Sequence, residues 1–231
     1  MGPGTIDRRK ILAGMAALAA PLPARADDAN DSPIAHGVLA KNPIARTFES
    51  TSESLPEIML DTPDGEVAIA DVLKGRTVLM PVWAEWCVPC LIEIPDFARL
   101  QQVYGKDKFA IIPVLSGPQK QMTPNATAVL FKALRAEIFT PMIEHRFGNT
   151  LIRKMARRGN SMMLPCNILI GPDGKVVARE IGLESNGVEV GTDPNDHYIR
   201  AEKAAAGQTQ SLWGTADGDA FATAMATGFL G

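Results

Sequence analysis

Cys87 and Cys90 stand two residues apart where the sequence predicts that a strand gives way to a helix. The stretch at 77–83 is apolar and rich in β-branched residues, as in a buried strand, whereas 91–104 repeats apolar side chains at helical spacing. Cys87 is therefore predicted at a helix N-terminus, where unpaired N–H groups and the helix dipole stabilise a thiolate, the reactive form of cysteine. Cys90, one turn further on, is close enough to resolve a mixed disulfide, so the pair is predicted to be a redox site.

Two other uses of such a pair are zinc binding and a structural disulfide. Zinc would need two further ligands, and the remaining candidates contain no second closely spaced pair. They are Cys166, His36, His145 and His197. A structural bridge usually closes a longer loop than the one between Cys87 and Cys90. The spacing favours redox chemistry, and we expect no metal and no organic cofactor at the site.

The sequence around the cysteines resembles a known active site. Residues 83–90 read W-A-E-W-C-V-P-C, similar to the active-site motif of thioredoxins, and the wider pattern resembles the TlpA/ResA branch of exported thioredoxin-like reductases. That branch has an extended segment with a D-x-x-G turn, a following strand, an acid and a proline after the second cysteine, and a later proline-containing strand with its turn. The matching positions here are 55–60, 61–65, 75–79, Glu93, Pro95 and 164–174. The resemblance covers residues 47–183.

This resemblance implies an α/β thioredoxin-like fold, with a central mixed sheet flanked by helices, an N-terminal extension and a C-terminal loop insertion. It implies that Cys87 attacks a substrate disulfide and that Cys90 resolves the product. It also implies a cis peptide before Pro165, which leaves backbone groups free to pair with an extended substrate. An ordinary trans proline at a strand entrance is the alternative. The expected substrate-binding residues are Trp86, Pro89, Leu164 and Pro165.

One position departs from the thioredoxin pattern. Thioredoxins carry a buried carboxylate six residues before the nucleophilic cysteine, and this chain has Pro81 there. Glu93 is the candidate catalytic replacement, because it lies three residues after Cys90 and therefore on the same helical face. A solvated helix glutamate is the alternative for Glu93, and Glu85 is expected to be a solvated charge.

Cys166 directly follows Pro165, where the resembled family usually has threonine or another small residue. It is either a buried, inert strand residue or a third thiol within reach of the C-x-x-C pair, able to form another disulfide or complete a soft Cu(I) site. A copper-binding chaperone that uses the pair with Cys166 or His197 is therefore the alternative function. Copper chaperones of this fold use C-x-x-x-C spacing, which favours a solvated loop histidine for His197. His145 is expected to be exposed or structural.

The N-terminus has the composition of an export signal. A basic cluster at 8–10 precedes an apolar stretch at 11–20 that is too short to span a bilayer, and an A-x-A sequence ends at Ala26. The paired arginines indicate the twin-arginine route, with an uncleaved N-terminal anchor as the alternative. We expect a periplasmic protein with a signal peptide at 1–26, a linker at 27–46 and one thioredoxin-like domain at 47–231.

Charge and periodicity limit the partners and place the other elements. The formal net charge is −3 and becomes more negative without the basic leader, which argues against nucleic acid as a partner. The patterns predict strands at 109–115 and 176–181, helices at 123–136, 149–158 and 217–229, and a surface loop at 184–214 with a short helix at 198–206.

The resemblance implies an exported thiol:disulfide oxidoreductase that reduces protein disulfides. In an oxidising compartment such a reductase needs an electron donor, which in the resembled family is a membrane thiol-transfer protein. The implied substrates are disulfide-containing or thiol proteins, with apocytochrome c thiols or copper-site cysteines as specific targets. A peroxidase on the same fold would carry threonine three residues before its reactive cysteine, and Ala84 occupies that position.

Overall fold

The structure, a computed structural model, describes residues 32–73, 75–119, 121–182 and 211–230. Its strands are β1 (Met59–Thr62), β2 (Gly65–Ala68), β3 (Thr77–Trp83), β4 (Phe109–Ile111), β5 (Val114–Leu115), β6 (Ile143–Glu144), β7 (Arg157–Arg158), β8 (Ser161–Met162), β9 (Cys166–Ile170) and β10 (Val176–Ile181). Its α-helices are α1 (Pro43–Thr47), α2 (Ile69–Leu73), α3 (Val88–Tyr104), α4 (Pro124–Ala133), α5 (Thr150–Met155) and α6 (Ala216–Ala226). Short 3-10 helices lie at Gly37–Leu39, His145–Phe147 and Leu212–Gly214.

A mixed β-sheet forms the centre of the fold. Its strands follow the order β10-β9-β3-β5-β6-β1-β2, and β4 also pairs with β3. β3 runs parallel to β4 and β5 and antiparallel to β9, which is antiparallel to β10. Helices cover both sides: α3 and α6 pack on one, which we call the α3 face, and α2 and α5 pack on the other, the α5 face. This confirms the predicted α/β fold with a mixed sheet flanked by helices.

β3 is the central strand, and it ends at the cysteine pair. All seven of its residues are buried, and its side chains alternate between the faces, with Leu79 on the α3 face and Met80 on the α5 face. A strand covered on both sides needs a continuous apolar sequence, which is why 77–83 was identifiable from sequence. α3 follows directly, and the predicted helix at 91–104 is confirmed within it.

The predicted single strand at 109–115 is two strands. β4 ends at Ile111 and β5 begins at Val114, with Pro113 between them. Proline has no N–H to donate to the ladder, so the pairing with β3 is interrupted at this point.

The described part of the predicted linker at 27–46 packs into the domain. Its apolar side chains are buried on the α3 face: Ile34, Leu39 and Ile44. Asn42 caps α1, because its Oδ1 accepts from the N–H of Ala45, and its Nδ2 donates to the C=O of Asp217 at 2.9 Å. Asn42 and Pro43 therefore mark a helix start, and the linker prediction is corrected over residues 32–46.

The predicted helices at 123–136, 149–158 and 217–229 are found with shorter bounds as α4, α5 and α6. The hairpin of β7 and β8, with Gly159 at φ +60 in its turn, was not predicted. Of the predicted loop at 184–214, residues 183–210 lie outside the described part, as does the helix predicted at 198–206. None of the described helices is long and apolar enough to cross a membrane.

Candidate active site

A disulfide joins Cys87 and Cys90 at the start of α3, just after the end of β3. The S–S distance is 2.04 Å and the two Cα atoms lie 5.3 Å apart. Cys87 is the N-cap residue of α3, and its Sγ accepts from the N–H of Cys90 at 3.4 Å. Pro89 lies in the first turn, where its missing N–H costs no helix hydrogen bond. The sulfur of Cys87 therefore sits where helix N–H groups and the dipole favour a thiolate.

Trp86 forms one wall beside this disulfide. The residue is 42% exposed, whereas Cys87 is 4% and Cys90 2% exposed in the disulfide form. The indole N–H of Trp86 donates to the C=O of Gly117 at 2.9 Å, which fixes the ring against the loop after β5. Glu85 makes a second contact to this loop, since its Oε1 accepts from the N–H of Gln119 at 2.8 Å. The expectation that Glu85 is only a solvated charge is therefore wrong.

The opposite wall is the loop that leads into β9. The peptide between Leu164 and Pro165 is cis, as the resemblance implied. Cys166 pairs with Val82 near the end of β3, which places Pro165 beside the cysteine pair. The C=O of Pro165 accepts from the N–H of Gly182, whereas within the described chain the backbone of Leu164 has no main-chain partner. A half-buried Leu164 with an unpaired backbone can bind an extended peptide as an added strand.

Glu93 lies under the site and is only 1% exposed, so the solvated alternative is wrong. Within the described chain neither carboxylate oxygen makes a well-formed hydrogen bond. Burial raises the pKa of Glu93 well above its ordinary value, and the nearby carboxylates of Glu180 and Asp96 raise it further. The Asn167 amide and the Trp213 indole favour the ionised form and offset the shift only in part. Glu93 can therefore hold a proton at a pH where an ordinary glutamate has lost it.

A second buried carboxylate, Glu180, escaped the sequence analysis. It is 1% exposed on β10, and the Nδ2 of Asn167 on β9 donates to its Oε2 at 2.8 Å. Asn167 is the sheet partner of Pro81, the position at which thioredoxins carry their acid. The available signal was a charged residue at a core-facing position of a strand, since Ala178, two residues earlier, faces the same side.

Asp96 is a third carboxylate on this side of the sheet. Burial raises its pKa from the ordinary value, against two hydrogen bonds that lower it. Both the backbone N–H and the hydroxyl of Ser211 donate to its Oδ2, at 2.7 and 2.8 Å. Asp96 thereby connects α3 to the segment before α6, which is a structural role.

Cys166 lies on the α5 face, away from the disulfide. It is fully buried, and its Sγ lies 3.6 Å from the C=O of Met155. Desolvation raises the pKa of the Cys166 thiol, so it stays protonated and unreactive. The inert interpretation is supported, and the alternative of a third thiol within reach of the pair is contradicted by its position on the opposite face. Of the two extra copper ligands considered, only His197 remains, and it lies outside the described residues.

His145 has the structural role expected of it. Its Nδ1 lies 2.5 Å from Asp61 and 3.7 Å from Glu66, and Arg146 donates to its Nε2 at 3.1 Å. Asp61, Glu66 and His145 form the only cluster in the described ranges whose ligand atoms are close enough for a metal ion. Both ring nitrogens are already engaged, Nδ1 by Asp61 and Nε2 by Arg146, so the cluster is explained as a hydrogen-bond network around His145.

Comparison with known proteins agrees with this geometry. The family described as Redoxin matches residues 50–195. The thioredoxin-like protein YneN of Bacillus subtilis is 39% identical over 62 residues, which are 27% of this chain and 36% of that protein. The thiol-disulfide oxidoreductase ResA of the same organism is 27% identical over 143 residues, 61% of this chain and 74% of that protein.

Two solved structures are also similar. The exposed lipoprotein thioredoxin of Streptococcus pneumoniae has a TM-score of 0.43 and 21% identity, with 64% of this chain and 98% of that chain covered. The thiol:disulfide interchange protein DsbE of Chlorobium tepidum has a TM-score of 0.45 and 22% identity, with 68% and 98% covered.

Proposed function

This chain belongs to the Redoxin family and is a thiol:disulfide oxidoreductase of the ResA type, and we propose that it reduces disulfides of other proteins in the periplasm. The observation that carries the proposal is the Cys87/Cys90 pair at the start of α3, beside a peptide edge at Leu164 that has no main-chain partner among the described residues. One side of this site supplies the nucleophile, and the other can hold an extended substrate.

The reaction proceeds through two exchanges. The Cys87 thiolate attacks one sulfur of the substrate disulfide, the substrate S–S bond breaks, and one substrate cysteine leaves as a thiolate. Cys90, deprotonated, then attacks the Cys87 sulfur in the mixed disulfide and expels the second substrate cysteine. The substrate leaves with two thiols, and the Cys87/Cys90 disulfide has been formed. Trp86, Pro89, Leu164 and Pro165 hold the substrate during both steps.

Glu93 accepts the proton that Cys90 must lose before it attacks. A carboxylate with a raised pKa is suited to this task, since its affinity for the proton is closer to that of a thiol. Glu93 lies three residues after Cys90 on α3 and is shielded from water, so it can serve the resolving step.

An electron donor must return the pair to the dithiol form. We assign this role to a membrane thiol-transfer protein, and we take apocytochrome c thiols or copper-site cysteines as the substrates. The support for these assignments is the resemblance to exported reductases and the export-type sequence at 1–26, removed by cleavage after Ala26.

The reduction potential of the Cys87/Cys90 pair tests the direction of electron flow. Equilibration with glutathione and dithiothreitol buffers, with the redox state read by thiol alkylation and mass spectrometry, gives this potential. We expect a strongly negative value, near that of thioredoxin. A value as high as that of a strong oxidant would contradict the reductase assignment and indicate disulfide formation instead. Mass spectrometry of the periplasmic protein tests the cleavage after Ala26.

A further inference from the structure

Residues 149–164, which we call the basic segment, carry a charge opposite to that of the whole chain. The segment has no acidic residue and contains Arg153, Lys154, Arg157 and Arg158, in a chain of formal charge −3. Arg158 is paired with Glu49 at 3.4 Å. The other three cations form no ion pair with any residue that the structure describes. Such a local concentration of cations creates a field that attracts an acidic partner.

Both ends of the basic segment border the disulfide. At its start, the C=O of Gly148 accepts from the N–H of Gly117 at 2.7 Å, and Gly117 in turn holds the Trp86 indole. At its end, Leu164 leads into the cis peptide with Pro165 beside the cysteine pair. The basic segment therefore begins next to the Trp86 side of the active site and ends at the Leu164 side. A substrate bound at the active site would also contact this segment.

The hairpin within this segment combines cations with exposed apolar side chains. Arg157 on β7 pairs with Met162 on β8, and Met162 is 58% and Met163 40% exposed. The N–H of Met163 donates to the C=O of Ala156 at 2.9 Å, which ties the base of the hairpin directly before Leu164. Methionine is flexible and polarizable, so two exposed methionines suit a surface that contacts different partner sequences.

Met163 also lies against the loop that carries the cis peptide. Its Cε would be 3.3 Å from a Cβ added at Gly182, and the N–H of Gly182 donates to the C=O of Pro165 at 2.9 Å. The methionine end of the hairpin is therefore held beside the substrate edge of the active site.

We propose that the basic segment docks the protein substrate and selects substrates whose reactive cysteine is flanked by acidic side chains and an apolar residue. Arg153 and Arg157 attract the acidic side chains, and Met162 and Met163 contact the apolar one. This proposal rests on the proposed disulfide reductase function. Exposed charges of this kind act mainly on the rate of encounter and lose their effect as salt screens them.

The test compares three peptides with one intramolecular disulfide and identical sequence, except that the flanking positions hold Glu, Gln or Lys. The second-order rate of their reduction by the prereduced protein is measured at several salt concentrations. We expect the Glu peptide to react about tenfold faster than the Lys peptide at low salt, with the ratio falling toward one at high salt. In the double variant Arg153→Glu/Arg157→Glu the ratio should reverse.

The matched control is Lys106→Glu/Lys108→Glu, which changes the net charge equally. Both lysines are exposed, and Lys108 lies beside Thr77 at the start of β3, whereas the active site lies at its end. This control should keep the preference for the Glu peptide. A control that loses the preference as fully as the arginine double variant would contradict a local docking surface.

The neutral reagent bis(2-hydroxyethyl) disulfide separates the two proposals. If the wild-type protein reduces neither this reagent nor any peptide, the proposed function fails. If it reduces the reagent and all three peptides at equal rates, the function stands and the docking proposal is overturned. If charge reversal lowers the unfolding midpoint without changing the peptide ratio, the two arginines stabilise the fold, and docking is again overturned.

Discussion

The two faces of the central sheet give cysteine opposite environments. On the α3 face, Cys87 caps a helix, and the buried polar residues Glu93, Asn167 and Glu180 lie on the same side. On the α5 face, Cys166 packs among apolar side chains, and its Sγ lies near the Met155 carbonyl, which also accepts from Arg179. The difference shows that reactivity in this protein depends on what surrounds a thiol more than on the presence of one.

A single step along β9 separates these environments. Cys166 and Asn167 are adjacent, so their side chains point to opposite faces, one to the apolar side and one to the carboxylates. Burial raises the pKa of Cys166 and of Glu93 alike, because both charged forms are poorly solvated. For the thiol this suppresses chemistry, whereas for the carboxyl it favours the proton-accepting role that we propose for Glu93.

Removal of the α3-face thiols should have the largest effect. We expect Cys87→Ser to abolish disulfide reduction, since the serine hydroxyl is not ionised at the helix start and no other thiol on this face can attack first. Cys90→Ser should instead accumulate a mixed disulfide between Cys87 and the substrate, detected by non-reducing electrophoresis and mass spectrometry. If Cys87→Ser formed the adduct and Cys90→Ser did not, the two roles would be reversed.

Glu93→Gln should have the second largest effect. Without the proton acceptor the resolving attack by Cys90 should slow by about a hundredfold near neutral pH. The part of the pH dependence of the resolving rate that comes from the titration of Glu93 should also disappear in this variant. Stopped-flow measurement of mixed-disulfide decay between pH 5 and 9 reports this. A decay rate and pH profile equal to the wild type would show that Glu93 takes no part.

Glu93→Gln should also show how much burial of the Glu93 carboxylate lowers the free energy of unfolding. The folded pKa of Glu93 is raised, so the folded state binds more protons than the unfolded state above the ordinary value of 4.5. Stability of the wild type therefore falls as the pH rises from about 4.5 through the folded pKa. We expect Glu93→Gln to be more stable than the wild type at pH 8 and to lose this advantage at pH 4, as measured by urea unfolding of the oxidised proteins. An equal difference at both pH values would contradict the raised pKa.

The sequence was sufficient for the elements with strong local patterns. β3 and the start of α3 follow from a continuous apolar run and helical spacing, whereas the cis peptide before Pro165 was implied by the resemblance to thioredoxins. The carboxylate pair was not accessible in this way, because Glu93 on α3 and Glu180 on β10 come together only when α3 packs on the sheet. Cys166 could be assigned to a face only once the register between β3 and β9 was known. Long-range register is tertiary information that no local pattern carries.

Glu180→Gln should have a smaller effect than Glu93→Gln. The change removes a like charge that raises the pKa of Glu93, so that pKa should fall toward its ordinary value. Glutamine keeps an oxygen that can accept from Asn167, so the hydrogen bond across β9 and β10 can persist. The pH midpoint of mixed-disulfide decay should move to lower pH. A midpoint that stayed in place while the protein remained folded would show that Glu180 does not act on Glu93.

The smallest effect is expected on the α5 face. Cys166→Thr should leave the reduction potential and the reduction rate of the Cys87/Cys90 pair unchanged, because the thiol is fully buried on the far side of the sheet and, among the described residues, hydrogen-bonds only to the Met155 carbonyl. The threonine hydroxyl can donate to that carbonyl, so the stability cost should stay within about 1–2 kcal/mol, and Cys166→Ala serves as the control without a hydroxyl. Thiol counting on the oxidised wild type should find one free thiol, accessible only after unfolding. A disulfide that includes Cys166, or copper bound by the wild type and lost in Cys166→Thr, would show that the sheet does not isolate the two thiol environments.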